Sequence, residues 1–447
     1  MSTLPDQADY VIIGAGSAGC VLANRLSANP ANRVVVLEAG GRNAHLLATM
    51  PAGMATLMRD ANPSNWAFES EPVQALGGRR MFVPRGRGWG GSSSINGMLY
   101  VRGNRADYDQ WRQMGLAGWS YDDVLPLFRR MEDFDGGVDS WHGQGGELPV
   151  RYGTSPDPIY RAFIEAGRTA GHPETEDFNG ARQEGVGRYQ VNIEGGRRAG
   201  ARRAFLLPAL KRPNLVAGTD IHVTRIVVEG GRAVAVDYVR GKERTPGRIS
   251  ASREILLCAG TMQSPQILGL SGIGDADSLH ALGLPLVAAL PGVGRNLQDH
   301  VDIAVTYRSR LPLLWSRTKG WRAAMIGLRY LLSRGGLGAS NSLEAGGLPA
   351  HPSRTRPAGC ADPVHPRRDG EPRSEGYAAF RRIFDRHDRV APGEPRHGAP
   401  ALRRSVRGAG DPPEPSRHPR GRRDAAGRRT PGARDRRAAG ACTVAHR

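Results

Sequence analysis

The stretch Tyr10–Gly40 decides the fold. It begins Tyr10-Val-Ile-Ile-Gly-Ala-Gly-Ser-Ala-Gly-Cys20 and ends Val34-Val-Val-Leu-Glu-Ala-Gly40. An apolar run leads into three spaced glycines, helix-compatible residues follow, and a second apolar run completes the stretch. This order predicts a strand, a tight turn, a helix and a second strand, which is the βαβ unit typical of dinucleotide-binding proteins. The alternative is a purely structural strand, turn and helix with chance glycines.

The glycines form the pattern Gly14-x-Gly16-x-x-Gly19. In this pattern Gly14 permits the turn, Gly16 lets a pyrophosphate approach the main chain, and Gly19 lets helix and strand pack closely. The phosphates would lie at the helix N-terminus beside Ser17 and Ala18, where unpaired N–H groups favour negative charge. We therefore predict that these five residues bind a dinucleotide.

Glu38 ends the second predicted strand, about twenty residues after the glycines. A carboxylate at this position accepts hydrogen bonds from ribose hydroxyls and repels a 2′-phosphate, so NADP is disfavoured. The βαβ unit by itself does not distinguish FAD from NAD as the bound dinucleotide.

Length and composition exclude several classes of protein. The chain has 447 residues, Met1–Asp9 lacks the features of a secretory signal, and no apolar run reaches the roughly eighteen residues that span a bilayer. These features predict a cytoplasmic protein without a transmembrane segment and leave peripheral membrane association open. The four cysteines show no C-x-x-C spacing, so neither a disulfide framework nor a metal site is expected.

The net charge of +19 is unevenly distributed. About twelve of these charges come after Gly347, and lysine occurs only at Lys211, Lys242 and Lys319. The excess of arginine over lysine suggests coding DNA rich in G and C. No specific nucleic-acid partner is therefore expected.

A second glycine-rich segment, Pro84–Gly103, lies about seventy residues after the first. Its glycines let main chain lie close to a flat or phosphorylated ligand, while Ser92–Ser94 and Asn96 supply hydrogen-bond donors. Apolar residues follow from Ile95 onward, which favours a buried loop over a flexible linker.

This segment resembles the first signature of the glucose-methanol-choline oxidoreductase family through Gly86-Arg-x-Trp-Gly-Gly-Ser-Ser-x-Ile-Asn96. Gly260-Thr-x-x-Ser-Pro-x-Ile-Leu-x-x-Ser-Gly-Ile-Gly274 is similar to the second signature of that family. Asn296-Leu-Gln-Asp-His300 resembles the branch that contains choline dehydrogenases and alcohol dehydrogenases. The resemblance covers about residues 9–347 and stops there.

The resemblance implies an α/β fold in which a Rossmann-like FAD-binding domain is interleaved with an α+β substrate domain built on an antiparallel sheet. The FAD-binding domain would take residues 1–150 and 215–300, and the substrate domain would take residues 151–214 and 301–347. Residues 348–447 would be a disordered basic tail that replaces the C-terminal third of the family.

The resemblance also implies that the cofactor is FAD. Trp89–Leu99 would lie along the isoalloxazine and ribityl groups, and the main chain of Val223 would contact the adenine. Ile95 stands where some members carry the histidine that bonds covalently to the flavin, so the FAD is expected to be non-covalent. In this part of the chain the implied cofactor-binding residues are Trp89, Gly91, Ser92, Asn96, Gly97, Met98, Leu99 and Val223.

The reaction implied is oxidation of a small alcohol, with hydride passing to flavin N5 while a base removes the hydroxyl proton. The family base is a histidine in a His-Pro-x-Gly-Thr context, partnered by an Asn or His about forty residues later. His418-Pro-Arg-Gly421 copies the first four positions but lacks the partner, so it is not expected to be the base. His300 is interpreted as structural and His142 as a loop residue. The catalytic residues therefore stay unassigned.

Periodicity predicts several further elements. Ser120–Glu132 has the capping residues of a helix, and Ile159–Ala170 has an amphipathic helical pattern. Leu215–Ala217, His222–Glu229 and Ala233–Arg240 alternate as the strands of a β-meander.

A basic loop lies between these helices and strands. It carries Arg197, Arg198, Arg202 and Arg203. A solvated surface is favoured here over a substrate or phosphate contact.

The sequence changes character after Gly347, where arginine, proline, alanine and glycine dominate and no apolar periodicity persists. Our hypothesis is that a single-nucleotide insertion or deletion near codon 347 put a G/C-rich gene out of frame. The competing interpretation is a basic arm that binds nucleic acid or an acidic partner. If neither of the other reading frames beyond codon 345 encodes His-Pro-x-Gly and Asn-Pro, the frameshift hypothesis fails.

Two functions therefore remain. The first is an FAD-dependent oxidoreductase acting on CH–OH donors, with the exact alcohol, the electron acceptor and the oligomeric state left open. The second is a catalytically dead flavin-binding remnant of such an enzyme.

Overall fold

The predicted βαβ unit is present in the computed structural model, which describes residues 4–59, 61–300, 305, 307 and 320–349. Strand β1 (Gln7–Ile13) leads into helix α1 (Ser17–Leu26), and strand β2 (Val34–Leu37) follows. β1 and β2 pair in parallel, with Tyr10 opposite Val34 and Ile13 opposite Leu37. The glycine turn therefore lies where the first strand meets the helix.

The remaining strands are, in chain order, β3 (Phe68–Glu69), β4 (Phe82–Val83), β5 (Leu99–Tyr100), β6 (Glu132–Phe134), β7 (Leu148–Tyr152), β8 (Gly185–Arg188), β9 (Gln190–Val191), β10 (Ile193–Glu194), β11 (Arg197–Arg198), β12 (Leu215–Gly218), β13 (Ile221–Glu229), β14 (Arg232–Arg240), β15 (Thr245–Leu257), β16 (Ile273–Gly274), β17 (Ala288–Ala289) and β18 (Ala345–Leu348).

The remaining helices are α2 (Leu46–Thr49), α3 (Met54–Leu57), α4 (Arg105–Gln113), α5 (Tyr121–Met131), α6 (Pro158–Thr169), α7 (Leu207–Ala209), α8 (Gly260–Leu270), α9 (Ala276–Ala281) and α10 (Trp321–Ser333). A π-helical turn, Arg202–Leu206, leads directly into α7.

The largest sheet has six strands in the order β12, β2, β1, β15, β14, β13. β12, β2, β1 and the second half of β15 are parallel, whereas β13, β14 and the first half of β15 form an antiparallel meander. The predicted meander is therefore wrong in one strand. Leu215 begins a strand that pairs in parallel with Val34 of β2, and β15 supplies the third strand of the meander.

Both faces of the parallel strands are buried because their apolar side chains alternate between two cores. Ile12, Val34 and Val36 contribute to one core, which is completed by α1 and the π-helical turn. Val35 and Leu37 point into the other core, which the meander and α8 complete. A continuous apolar run in the sequence thus becomes a central strand.

A second, four-stranded sheet has the order β5, β9, β7, β6. β9 pairs antiparallel with β5 and β7, but β6 and β7 are parallel, so the predicted antiparallel sheet is mixed. β18 pairs antiparallel with β8, with Ala345 opposite Arg188. The division of the chain into domains stays a prediction.

The two predicted helices are confirmed. α5 begins with a capping box in which Ser120 accepts from the Asp123 N–H and the Asp123 carboxylate accepts from the Ser120 N–H. α6 begins with Pro158 after the N-cap residue Asp157, whose side chain accepts from the Ile159 N–H. In both cases local side-chain chemistry fixed the helix start.

The C-terminal half of β15 pairs on one side only. Its residues 251–257 run beside β1, while β14 pairs with residues 245–250. No other strand of the described residues pairs with the outer edge of 251–257.

Several sequence predictions lie outside the described residues. These are the disordered character of 348–447 beyond Pro349, the residue His418, and most of the segment 301–319. Among the helices that the structure does describe, none has the length and apolar character needed to span a bilayer.

We predict that Gly19→Ala destabilises the protein. A Cβ atom at position 19 would lie 1.9 Å from the Gly14 carbonyl oxygen, and this clash outweighs the gain of about 1 kcal/mol in helix propensity. The expected loss is about 1–3 kcal/mol or more, measured by chemical unfolding. The control is Gly41→Ala, because a Cβ at Gly41 meets no atom within 4 Å. Equal stability of the two variants would contradict the close packing of α1 on β1.

Candidate functional site

Of the three glycines in the pattern Gly14-x-Gly16-x-x-Gly19, Gly16 is the one whose backbone conformation and surroundings would accept a side chain. Its φ of −72° and ψ of −163° are accessible to any residue, and a Cβ there would meet only the Cys258 carbonyl oxygen, at 3.9 Å. Gly14 differs, because its φ is +96° and a Cβ would lie 2.6 Å from the same oxygen. A glycine in open space at the start of a helix fits a bound group that approaches the main chain.

The N-terminus of α1 is open to such a group. In the described residues no side chain accepts a hydrogen bond from the first turn, and Ser17 and Ala18 are exposed. The unpaired N–H groups and the helix dipole favour an anion at this position. Gly16, Ser17 and Ala18 therefore lie at an open helix N-terminus, and their role in binding a dinucleotide stays a prediction.

The second glycine-rich segment lies directly against the first. The Gly90 N–H donates to the Ala15 carbonyl oxygen over 2.7 Å, and a Cβ on Gly91 would lie 2.8 Å from the Gly16 Cα. Gly88 and Gly90 have φ values of +103° and +89°, which a side chain would strain. Two segments far apart in the sequence thus form one surface, which we call the glycine cradle and define as residues 14–18 and 86–99.

Glu38 joins both halves of the glycine cradle. Its buried carboxylate accepts from the Ala15 N–H through Oε2 over 2.8 Å, and from the Gly40 and Gly88 N–H groups through Oε1 over 2.8 and 2.9 Å. A carboxylate has about four acceptor positions, so Oε2 retains one for a hydroxyl group. Sequence reasoning assigned Glu38 to the ribose but did not predict these main-chain contacts.

Residues 92–99 form a single layer with two different faces. Ser92, Asn96 and Leu99 are exposed, whereas Ile95 and Met98 are buried. Ile95 therefore packs into the protein.

Two further contacts hold the loop in position. Met98 has a φ of +58°, and its carbonyl oxygen accepts from the Asn192 N–H over 2.9 Å. The Gly97 carbonyl oxygen accepts from Asn341 Nδ2 over 2.7 Å. The loop is thus anchored to a residue nearly 250 positions away.

Trp89 lies in the first core, where it is 5% exposed and has the Arg42 guanidinium above its ring at 5.5 Å. Its indole fills the protein interior. The main chain of Trp89, rather than its ring, thus lies along the glycine cradle.

Val223 lies on β13, which begins where β2 ends. The Ile221 N–H donates to the Glu38 carbonyl oxygen over 2.9 Å. Val223 follows Ile221 by two residues on the same strand. The pairing of β13 with β14 shifts register between Val223 and Arg225, which interrupts the ladder at this point. Val223 and Glu38 are therefore brought to the same end of the cradle.

Three side chains that sequence reasoning missed cluster nearby. The Arg87 guanidinium lies 4.9 Å above the Trp66 ring, and His222 meets that ring edge-on at 6.2 Å. Burial is the main cause that lowers the pKa of His222, with the positive charge of Arg87 adding to it. No sequence pattern joins positions 66, 87 and 222, so only the fold reveals this cluster.

The interpretation of the basic loop as a solvated surface is wrong for Arg198. Arg197 is exposed, but Arg198 on the same strand is only 4% exposed. Alternation along β11 explains the difference, because successive side chains point to opposite faces. Arg203 is partly buried and pairs with Glu194 at 3.3 Å.

His142 lies in a loop, as predicted, and it is fully buried there. Its Nδ1 lies 3.1 Å from Glu132 Oε1, and its Nε2 lies 2.9 Å from Asp177 Oδ2. Glu132 also pairs with Arg102 at 2.8 Å. Burial alone would lower the pKa of His142, but the hydrogen bonds and negative charges of Asp177 and Glu132 outweigh it and raise the pKa to about 9. His142 is thus held as a cation in a structural network.

His300 is exposed, and its N–H donates to the side chain of Asp299, which pairs with Arg85 at 3.1 Å. The structural interpretation of His300 stays a prediction.

Comparison with known proteins identifies the family. The profile of the GMC oxidoreductase family, named for glucose, methanol and choline, matches residues 8–302. The oxygen-dependent choline dehydrogenase of Rhizobium etli is 47% identical over 340 residues, which are 76% of this chain and 61% of the relative. The mitochondrial choline dehydrogenase of Homo sapiens is 44% identical over 353 residues, which are 77% of this chain and 59% of the relative. The chain thus spans about three fifths of the length of these relatives.

Solved structures agree on the fold. Pyridoxine 4-oxidase from Mesorbium loti matches with a TM-score of 0.62 and 37% identity, covering 66% of this chain and 57% of that one. A variant of Aspergillus oryzae RIB40 formate oxidase, studied for its effect on FAD modification, matches with a TM-score of 0.70 and 26% identity. That match covers 78% of this chain and 63% of the oxidase.

We predict that His142→Gln destabilises the protein in a pH-dependent way. The folded-state pKa of about 9 lies above the unfolded value of 6.5, so the contribution of the charged His142 is complete below pH 6.5. It declines as the pH rises and is lost above about 9. Urea unfolding of both proteins across this window should show the stability difference shrinking with rising pH. The exposed His280, changed to Gln, is the control. A difference that does not change with pH would contradict the charged state of His142.

Proposed function

We propose, since the chain belongs to the GMC oxidoreductase family, that it binds FAD non-covalently along the glycine cradle and derives from enzymes that oxidise CH–OH groups. Enzymes of this family use FAD. The pyrophosphate would lie at Gly16–Ala18, the adenosine beside Glu38 and Val223, and the flavin along residues 89–99.

The single observation that carries this proposal is the open space at Gly16. In the part of the chain that the structure describes, the nearest atom to a Cβ there is the Cys258 carbonyl oxygen at 3.9 Å, yet the position is glycine and faces an uncapped helix N-terminus. A pyrophosphate explains both facts, because it needs close approach to main-chain N–H groups.

Glu38 supports a dinucleotide without a 2′-phosphate. The remaining acceptor position on Oε2 suits one ribose hydroxyl, while a 2′-phosphate would meet a buried carboxylate. The choice of FAD over NAD rests on the second half of the cradle, which offers a long main-chain surface beyond the pyrophosphate position. Ile95 supports non-covalent binding, since its side chain is buried and carries no nucleophile.

The substrate class follows from the lineage. Bound flavin accepts a hydride from the carbon that bears the hydroxyl group, and the protein must orient that carbon and remove the hydroxyl proton. Two relatives are choline dehydrogenases, which supports choline or another small primary alcohol as the substrate. The electron acceptor stays open, and a cytoplasmic location stays a prediction.

A second candidate function is flavin binding without turnover. Two of the described histidines do not suit the proton-accepting role, because His142 is fixed between two carboxylates and His222 is beside Arg87 at the adenosine end. The chain also spans only about three fifths of its relatives. A frameshift near residue 347, with its loss of the catalytic histidine, stays a hypothesis that the coding DNA tests.

We expect the purified chain to bind FAD and the Gly16→Ala variant to bind it at least about tenfold more weakly, because the methyl group takes the place of a phosphate oxygen. Quenching of FAD fluorescence measures the affinity, with NAD titrated in parallel. Thermal unfolding of Gly16→Ala should match that of the unaltered chain, since the space is open. Gly41→Ala is the matched control and should retain full affinity. Tight NAD binding without FAD binding would refute the proposed cofactor.

Reduction by alcohols separates the two candidate functions. We expect choline and simple primary alcohols to bleach the flavin of the FAD-loaded chain slowly or not at all in the absence of oxygen, because no described histidine stands in the His-Pro-x-Gly-Thr context of the family base. Chemical reduction with dithionite is the control that the bound flavin can be reduced. Rapid bleaching by choline would instead establish an active dehydrogenase.

A further inference from the structure

Arg198 lies beneath the second half of the glycine cradle and holds it by three hydrogen bonds. Its Nη1 donates to the Asn96 carbonyl oxygen over 2.7 Å, to Asn96 Oδ1 over 2.9 Å and to the Ser93 carbonyl oxygen over 3.2 Å. A second contact joins the segment after Arg198 to the same loop, because the Ala201 N–H donates to Ser93 Oγ over 3.0 Å. A Cβ on Gly200 would lie 2.5 Å from the Ser93 carbonyl oxygen. The loop and the arginine strand are therefore in direct, close-packed contact.

The charge of Arg198 has no counter-ion in the described part of the chain. Its Nε and Nη2 atoms are buried without a hydrogen-bond partner there, and no carboxylate pairs with it. Burial lowers the pKa of Arg198 to about 10, which still leaves it a cation near neutral pH. A buried, unpaired charge is costly unless another group compensates it.

The hydrogen bonds to Ser93 and Asn96 fix the position of the Arg198 guanidinium relative to the glycine cradle. Ser92 lies on the exposed, outer face of the loop, whereas Arg198 lies against the inner face, where the Ser93 and Asn96 carbonyl oxygens and Asn96 Oδ1 accept from its guanidinium. A ligand that starts at Gly16 and continues past Gly91 therefore follows the outer face, with one layer of main chain between it and the guanidinium.

We propose that Arg198 is a positioning residue of the flavin site, which shapes the loop Ser93–Asn96 and sets an uncompensated positive charge beneath the flavin ring. This inference rests on the proposed binding of FAD. Two-electron reduction of a flavin adds two electrons and, at N5, one proton, so the ring system gains a negative charge. A cation held across one layer of main chain, in an environment of low dielectric constant, stabilises that reduced form. Arg198 thereby favours hydride acceptance without touching substrate.

The experiment compares FAD-loaded Arg198→Met, Arg198→Gln and Arg198→Lys with the unaltered chain. FAD affinity is measured by fluorescence, and the two-electron reduction potential is measured by equilibration with a reference dye. Methionine removes the charge and the donors, glutamine removes the charge but retains donors, and lysine retains the charge with a different geometry. Arg197→Met is the matched control, because Arg197 is the adjacent, exposed arginine of the same strand.

We expect Arg198→Met to bind FAD about tenfold or more weakly and to have a lower reduction potential than the unaltered chain. Arg198→Lys should weaken affinity but hold the potential near the original value, and Arg197→Met should change neither. If Arg198→Met does not fold, Arg198→Gln provides the same comparison of potentials. An unchanged potential in a neutral variant that still binds FAD overturns the proposal, whatever its affinity. Failure of the unaltered chain to bind FAD would refute the proposed cofactor first.

Discussion

The carboxylate of Glu38 is the interaction on which the architecture of the site depends. Three main-chain N–H groups converge on it, from the first glycine turn, from the end of β2 and from the second glycine-rich segment. Charge-assisted hydrogen bonds of this kind are stronger than neutral ones, and each of these donors would be left unsatisfied without the carboxylate. A single acidic side chain thus fixes the distance between two segments that are about seventy residues apart.

Acceptors and donors are distributed along the cradle. The end beside Val223 holds the buried carboxylate of Glu38, and the Arg87 guanidinium donates to the next carbonyl oxygen, that of Ala39. The uncapped N-terminus of α1 adds a partial positive charge in the middle, and the loop at the other end lies over the buried guanidinium of Arg198. This arrangement suits an elongated ligand with an anionic group at its centre.

The sequence predicted the βαβ unit and the capped helices because their determinants are local. Gly14, Gly16 and Gly19 lie within six residues, and Ser120 with Asp123 is a complete capping signal. Strand β12 was misassigned because its partner, β2, is about 180 residues away, and periodicity carries no information on pairing.

The burial of Arg198 and His142 was not predicted for a similar reason. A basic cluster and a lone histidine are ordinarily surface features, and only the tertiary contacts reveal that these two side chains are buried. Alternation along β11 could have separated Arg197 from Arg198, had the two-residue strand been recognised. The partners of His142 come from positions 132 and 177, which no motif connects.

The one-sided pairing of β15 has a practical consequence for handling the protein. In the part of the chain that the structure describes, no strand pairs with the outer edge of residues 251–257, where Arg232 already donates to the Ser252 and Arg253 carbonyl oxygens. Such an edge templates extended peptides, including the same segment of another molecule. Concentrated preparations will therefore tend to associate through this edge, so dilute samples and size measurements should precede any work on ligand affinity.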